Sequence, residues 1–284
     1  MAGLPAGAVV HVPDGGDPLV ALASVTDLGV VAHPDDLELL LAAPVLACRD
    51  DPARRFCGVV VTDGAGSVRP AAMADLDDVA FVALRAAEQL AAADAAGMGA
   101  VVLLGMPSRE VCSTGSGRAA LVDALAALGA VCRPDVVHTH DPADAHRSHV
   151  AVATATVTAL RRLPADRRPG RLLGWEGWRD LGWVAEDRIV RGDLTGLVDD
   201  AVDLARHHAS QLGPKRYDAA VAGRWQANAT FAAQREADDA SALARGVDLT
   251  PLLDDGVDPT TFVADLARSF ADVVTDGVST WWSS

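Results

Sequence analysis

Several things are missing from this sequence, and each absence closes off a class of protein. Aromatic residues make up 4% of the 284, and arginine carries almost all the positive charge because lysine is nearly absent. Acidic residues outnumber basic ones 39 to 24, a formal net charge of −15. Neither a general nucleic-acid binder nor an anionic-membrane binder has that footprint, although a local site can carry its own sign. The four cysteines (Cys48, Cys57, Cys112 and Cys132) show no C-x-x-C spacing. A chain this long, with half its residues apolar, needs no disulfide framework, so free and mostly buried thiols in a cytoplasmic protein are expected. No apolar run reaches the ~20 residues of a membrane span. The first residues, M-A-G-L-P-A-G-A-V-V-H-V, lack the basic start and continuous apolar core of a secretory signal.

What is present is an alternation of element types. Residues 9–12 read as an edge strand, 28–32 as a first buried strand, and 57–61, 100–104 and 136–139 as three more. Helical patterns over 37–48, 75–96, 118–128 and 146–163 lie between and after them. Pro44 should kink or break the first of these helices. Gly97 and Gly129 are placed to close the second and third, and Pro164 stops the fourth. Strand and helix alternating at this spacing mean βαβ units: an α/β protein with a Rossmann-like, mostly parallel sheet and helices on both faces. The C-terminal ends of its strands then share one rim, where ligands bind in such sheets. From residue 171 the pattern loosens, with helices expected near 199–212 and, at the periphery, over 260–274. The expected organisation is one domain, 1–284, with a core of about 25–165 and a C-terminal elaboration of about 166–284.

Two polar clusters fall on that rim. The first is V-V-A-H-P-D-D-L-E, residues 30–38, at the end of the first buried strand. A dinucleotide-binding protein needs glycines there, and no G-x-G-x-x-G follows this strand. The second is H-T-H-D-P-A-D-A-H-R-S-H, residues 138–149, at the end of the strand over 136–139. Alone, H-P-D-D fits a capped turn with Asp35 or Asp36 as the helix N-cap, and a lone H-x-x-H is more often structural or solvated. With Asp144 as N-cap, His146 and His149 share a helix face. Two His/Asp clusters at two strand ends are hard to explain by packing, and together they supply three protein ligands for a metal with open positions. Two imidazoles and a carboxylate leave the ion positive enough to lower the pKa of its water. A further carboxylate would act as base. Spacing does not decide which of Asp35 and Asp36 is ligand and which is base. An imidazole, His146 or His149, could stabilise the oxyanion and protonate the leaving amine.

A-H-P-D-D-L-E after a first strand, with H-x-x-H after a later one, resembles the PIG-L/LmbE-like de-N-acetylases. Supporting matches are V-T-D-G-A-G-S after the second strand of the core, R-x-x-E at Arg85 to Glu88, and H-H-A-S-Q-L from His207 to Leu212. The resemblance covers about residues 25–231. It implies zinc or another divalent metal held by His33, Asp36 and His149. It also implies Asp35 as general base and His146 as the imidazole that stabilises the oxyanion. The implied reaction removes acetyl from an N-acetylated amino sugar or glycoconjugate, a small-molecule substrate with no nucleic-acid or membrane partner; a homo-oligomer is compatible with it. Glu38 occupies a frequent acidic position, with a buried supporting or capping role equally open.

There are departures. Many members have an aspartate directly before the second histidine of H-x-x-H, and here that residue is Ser148, so Asp144 or Asp141 would have to fold back to replace it. The sequences G-W-R-D-L-G-W and P-K-R-Y-D-A-A-V-A-G-R-W-Q-A-N-A resemble a less characterised branch, so the substrate of the sugar-thiol deacetylases is not transferred. Asp63 and Arg69 are the candidate substrate-binding residues, each with an ordinary turn or surface role as the competing account. Trp175, Trp178 and Trp183 suit packing better than sugar stacking. His140 suits support of the site or the core, and nothing in the sequence places Arg216 or Arg224. The alternatives in function are a metal-dependent amidase on a non-sugar or thiol-conjugate amide, and a non-catalytic small-ligand binder.

Overall fold

The structure is a computed structural model describing residues 3–232 and 237–282. Eight strands form one sheet: β1 (Val9–His11), β2 (Asp27–Val31), β3 (Phe56–Thr62), β4 (Ala100–Met106), β5 (Val136–His140), β6 (Arg171–Trp175), β7 (Ile189–Asp193) and β8 (Leu243–Asp248). Their order is β1-β4-β3-β2-β5-β6-β8-β7. The five central strands are parallel, and antiparallel strands close both edges.

The central strands are apolar throughout because both faces are covered. Leu28 and Val30 of β2 point into one core, with Leu22 of α1 (Pro18–Ala23), Leu121 of α6 (Ser116–Cys132) and Val152 of α7 (Arg147–Arg161). Val31 points into the other, with Leu37 of α2 (Asp36–Leu40), Leu46 of α3 (Ala42–Arg49), Ala93 of α4 (Asp78–Ala95), Val202 of α8 (Val198–Ala205) and Trp225 of α10 (Tyr217–Thr230). The short helices α5 (Ser108–Val111) and α9 (Ala209–Lys215) lie between longer elements, and α11 (Pro259–Trp282) is mostly exposed, with Leu266 buried. No described helix is long and apolar enough to cross a membrane.

Several elements differ from expectation, each for a local reason. The apolar run 37–48 is two helices, α2 and α3, meeting at Leu41. Pro44 has no N–H to give the Leu40 carbonyl and its ring blocks that turn, so the break falls before the proline, which then sits in the first turn of α3. Gly129 does not close α6, which runs on to Cys132 and is capped by Arg133 at φ +48°. Its missing side chain instead admits Leu163, which would lie 3.2 Å from an added Cβ. Asp77 caps α4, accepting from the Ala80 N–H at 2.8 Å. The expected 199–212 helix is interrupted before Ala209, giving α8 and α9. Nor is the chain loose after residue 171. Residues 171–175 pair in parallel with β5, and β8 and β7 extend the same sheet beyond them.

Growth of the sheet reverses between β2 and β5. The chain adds β3 and β4 on one side of β2, then returns to lay β5 and β6 on the other. That reversal opens a crevice beyond the C-terminal ends of β2 and β5. Below it, Asp27 is buried and paired with Arg54 Nη2 (2.5 Å) and His138 Nε2 (3.1 Å). Burial alone would raise its carboxyl pKa, but His138, Arg54 and Thr26 outweigh it and hold the group well below the ordinary range. A depressed folded pKa contributes stability that is present above the unfolded value of about 3.9 and is lost as pH falls through the folded one. Asp27→Asn is therefore expected to cost about 1.5–3 kcal/mol in urea unfolding at pH 7. The gap to wild type should shrink below about pH 4. A gap that stays constant down to acid pH would refute this account of Asp27.

Candidate metal and catalytic site

The chain leaves β2 through Ala32 and His33, and Pro34 carries it into Asp35, whose φ is +103°. For a non-glycine residue that conformation costs about 1–3 kcal/mol and persists only where the surroundings enforce it. Asp36 opens α2 and turns back, its Oδ2 accepting the His33 N–H at 2.8 Å. Neither aspartate caps the helix in the usual way: Asp35 holds the N-cap position without a side-chain cap bond. From the other side of the crevice, α7 delivers His149. His33 Nδ1, Asp36 Oδ2 and His149 Nε2 form a triangle with edges of 3.1, 3.3 and 3.4 Å. Ligands at ~2.0–2.1 Å from a tetrahedral ion are ~3.3–3.4 Å apart, so these three atoms suit one face of a zinc site.

Two neighbouring histidines offer competing sets, since donor atoms of His33, His146 and His149, and of Asp36, His140 and His149, also lie close enough to share an ion. His140 is the weaker candidate. Its Nε2 accepts the Ala32 N–H at 2.8 Å, and its ring stacks flat on His149 with centroids 3.9 Å apart. That lone pair is spent on the end of β2, which makes His140 a support of the site.

His149 is fixed from behind by Asp144, Oδ2 to Nδ1 at 2.6 Å. Asp144 is not the N-cap of α7; that position belongs to His146. Its carboxylate instead accepts from His149 and from the backbone N–H groups of Ala145, Trp178 and Arg179. Gly177 has to be glycine here, because an added Cβ would lie 2.3 Å from Asp144 Oδ2. Burial opposes a charge on His149, but Asp36 and Asp144 prevail and push its pKa up to about 9.

Ser148 stands between two histidines, its Oγ 2.8 Å from His33 Nε2 and 2.7 Å from His146 Nδ1. A hydroxyl has one proton to give. Were His33 Nδ1 to serve as a metal donor, its Nε2–H would donate to Ser148, and Ser148 to His146. In that arrangement His146 would carry its own proton on Nε2. Neither Asp141 nor Asp144 bonds to His146: Asp141 Oδ1 accepts the Ala143 N–H, and Asp144 is engaged with His149. Burial, with His149 and His33 nearby, lowers the His146 pKa to about 4.

The Asp35 carboxylate is buried beside the triangle, its Oδ2 3.2 Å from the guanidinium of Arg85. Burial raises its pKa, Arg85 opposes and Asp36 adds to the rise, leaving it at about 6. Arg85 also donates to the carbonyls of Pro34 and Gly64 and to Ser67 Oγ. Gly64, at φ +71°, leaves room for it; an added Cβ would meet Nη1 at 2.6 Å. Gln89, one turn further along α4, accepts the Asp35 N–H and donates to Glu38, which is paired to His208. Glu88 holds α9 through Ser210. Sequence reasoning noticed Arg85 and Glu88 but not Gln89. The available signal was the i, i+4, i+8 row Phe81, Arg85, Gln89, in which two polar residues interrupt a buried helix face.

All of this opens into a cavity of about 740 Å³. His33, Asp35, Asp36, His146 and His149 share its floor, and Gly64, Ser67 and Val68 line one wall. Asp63 and Arg69 are not among the lining residues. Asp63 accepts the Ala65 N–H within its turn, and Arg69 pairs with Asp78 and lies over the Phe81 ring. The tryptophans separate by role. Trp175 is buried and donates to His138, and Trp183 packs against a core. Trp178 is half exposed, lining the cavity between His146 and Lys215. Arg224 also lines the cavity and donates to the Gly177 carbonyl, whereas Arg216 pairs with Asp218 outside it.

A search of curated proteins finds no match. The family model described as PIG-L: GlcNAc-PI de-N-acetylase matches residues 28–160. Among solved structures, the N,N'-diacetylchitobiose deacetylase of Pyrococcus horikoshii superposes with a TM-score of 0.63 at 17% identity, over 84% of this chain and 88% of that one. A40926 pseudoaglycone deacetylase gives 0.59 at 20%, over 79% and 97%. The 4-carboxy-2-hydroxymuconate hydratase of Pseudomonas putida KT2440 gives 0.62 at 16%, over 82% and 100%. At these identities the likeness is one of fold, and it is shared by enzymes of different chemistry.

Proposed function

We propose that this chain, whose residues 28–160 match the PIG-L family model, is a metal-dependent N-deacetylase acting on an N-acetylated amino sugar or glycoconjugate. The observation that carries this reading is the triangle of His33, Asp36 and His149 donor atoms, with a further buried carboxylate, Asp35, beside it. Zinc or another divalent ion held there would lower the pKa of a bound water towards ~7 and polarise the acetyl carbonyl. Asp35 accepts a proton as the water oxygen adds to the acetyl carbon. His146 donates a hydrogen bond to the carbonyl oxygen as it gains charge. The C–N bond then breaks as the proton that Asp35 took from the water passes to the nitrogen, and acetate and a free amine leave. A cavity of about 740 Å³ encloses more than an acetamide, which favours a conjugate. In this reading Asp63 and Arg69 are the candidate substrate contacts, flanking the loop whose Gly64, Ser67 and Val68 face the cavity. The sheet running through β8 supports treating 1–284 as a single domain.

Dialysed protein is expected to take up one equivalent of Zn²⁺, and to lose hydrolysis of an N-acetylglucosaminyl conjugate on chelation and regain it on zinc addition. Turnover that survives complete chelation would remove the proposal. The hydratase with this fold and the mixed aromatic and charged wall around Trp178, Lys215 and Arg224 favour one other reading, a non-sugar amide. A panel of sugar and non-sugar N-acetyl compounds separates the two.

A further inference from the structure

Arg85 and Gln89 stand one turn apart on α4 and hold the two ends of a single peptide unit. Arg85 Nη2 donates to the carbonyl of Pro34, and Gln89 Oε1 accepts the N–H of Asp35 at 3.1 Å. That peptide leads into the residue at φ +103°. Behind the clamp, Gln89 Nε2 donates to Glu38 Oε1 at 2.9 Å, and His208 Nε2 pairs with Glu38 Oε2 at 2.9 Å. Gln89, Glu38, Arg85 and His208 are all at most 1% exposed, so water does not compete for these bonds.

The polarity of the chain matters. The backbone N–H of Asp35 can only donate, so it fixes which way the Gln89 amide points: the oxygen goes to Asp35 and the NH₂ is left for Glu38. The three atoms of the triangle are held independently. Asp36 is tied to the His33 N–H, the His33 ring to Ser148 and His149 to Asp144. Disturbing the clamp should therefore move Asp35 and leave the ion's ligands in place.

We propose that Gln89 is a positioning residue. With Arg85 it locks the Pro34–Asp35 peptide so that the Asp35 carboxylate stays beside the attacking water, and Glu38 holds the far end of its amide. This rests on the functional reading above. Gln89→Met keeps the length and burial of the side chain but offers no donor for Glu38 and only a weak sulfur acceptor in place of the amide oxygen. It is expected to lower kcat on an N-acetylglucosaminyl conjugate roughly 100-fold, the scale of a misplaced reacting group. KM and zinc stoichiometry should stay at the wild-type values. The reversed pair Glu38→Gln with Gln89→Glu restores donor to acceptor along the chain and should recover most of that kcat, while Gln89→Glu alone sets two carboxylates face to face and should not.

Wild-type kcat in Gln89→Met would overturn the proposal, as would loss of zinc in step with kcat, or no rescue by the reversed pair. If the wild-type protein hydrolyses no N-acetylated compound, the functional reading fails by itself, and crystal structures of the variants then decide the clamp. An Asp35 carboxylate displaced in Gln89→Met and returned in the reversed pair supports it, and an unmoved one refutes it.

Discussion

Asp35→Asn is expected to reduce kcat on an N-acetylglucosaminyl conjugate by about 10²- to 10⁴-fold, the range lost with a general base. Asparagine has nearly the same shape and tolerates positive φ as aspartate does, so the turn after β2 should survive the change. What it cannot do is take a proton from water. The ion's protein ligands would be His33, Asp36 and His149, none of which the change touches, so zinc content measured on the same preparation should match wild type. Arg85 loses its charged partner but keeps its bonds to Pro34, Gly64 and Ser67, which limits the cost in stability. Near-normal turnover by a zinc-loaded Asp35→Asn variant would show that the base lies elsewhere.

The second large effect separates the competing ligand sets. Asp36→Ala is expected to weaken zinc binding by more than the ~10- to 100-fold that loss of an outer partner costs. It removes a charged ligand and the acceptor that closes the His33 turn. His146→Ala should keep zinc and lose turnover, by about 10²-fold or more. The reverse result, with zinc lost in His146→Ala and kept in Asp36→Ala, would move the ion to the His33, His146 and His149 set. Zinc titration of the two variants in parallel distinguishes these outcomes without any substrate.

The legible part of the fold was its alternation, and the reason is physical: a buried parallel strand is a short continuous apolar run, and a covering helix has its own period. The strands after residue 171 carry no such signal. β7 and β8 are interrupted by Gly192, Gly246, Arg191 and Arg245, and β7 is an edge strand with little burial. Their place in the sheet comes from pairing, which no local pattern encodes. Helix ends were misread where a residue had a tertiary task. Gly129 looked like a stop signal and is a contact point for Leu163.

The sequence by itself determined the α/β class and placed two His/Asp clusters at strand ends, because strand and helix periods and motif spacing are local properties. Only the tertiary structure could decide how the clusters meet. His33 and His149 are 116 positions apart, and their 3.3 Å separation exists because the sheet lays β5 directly beside β2. The same holds for Ser148, whose hydroxyl reaches across the crevice to His33, and for Asp144, which supports His149 and not His146. It holds most clearly for Asp35. Its left-handed backbone is unfavourable on its own, and it is held there by Arg85 and Gln89 from a helix about 50 residues further along the chain.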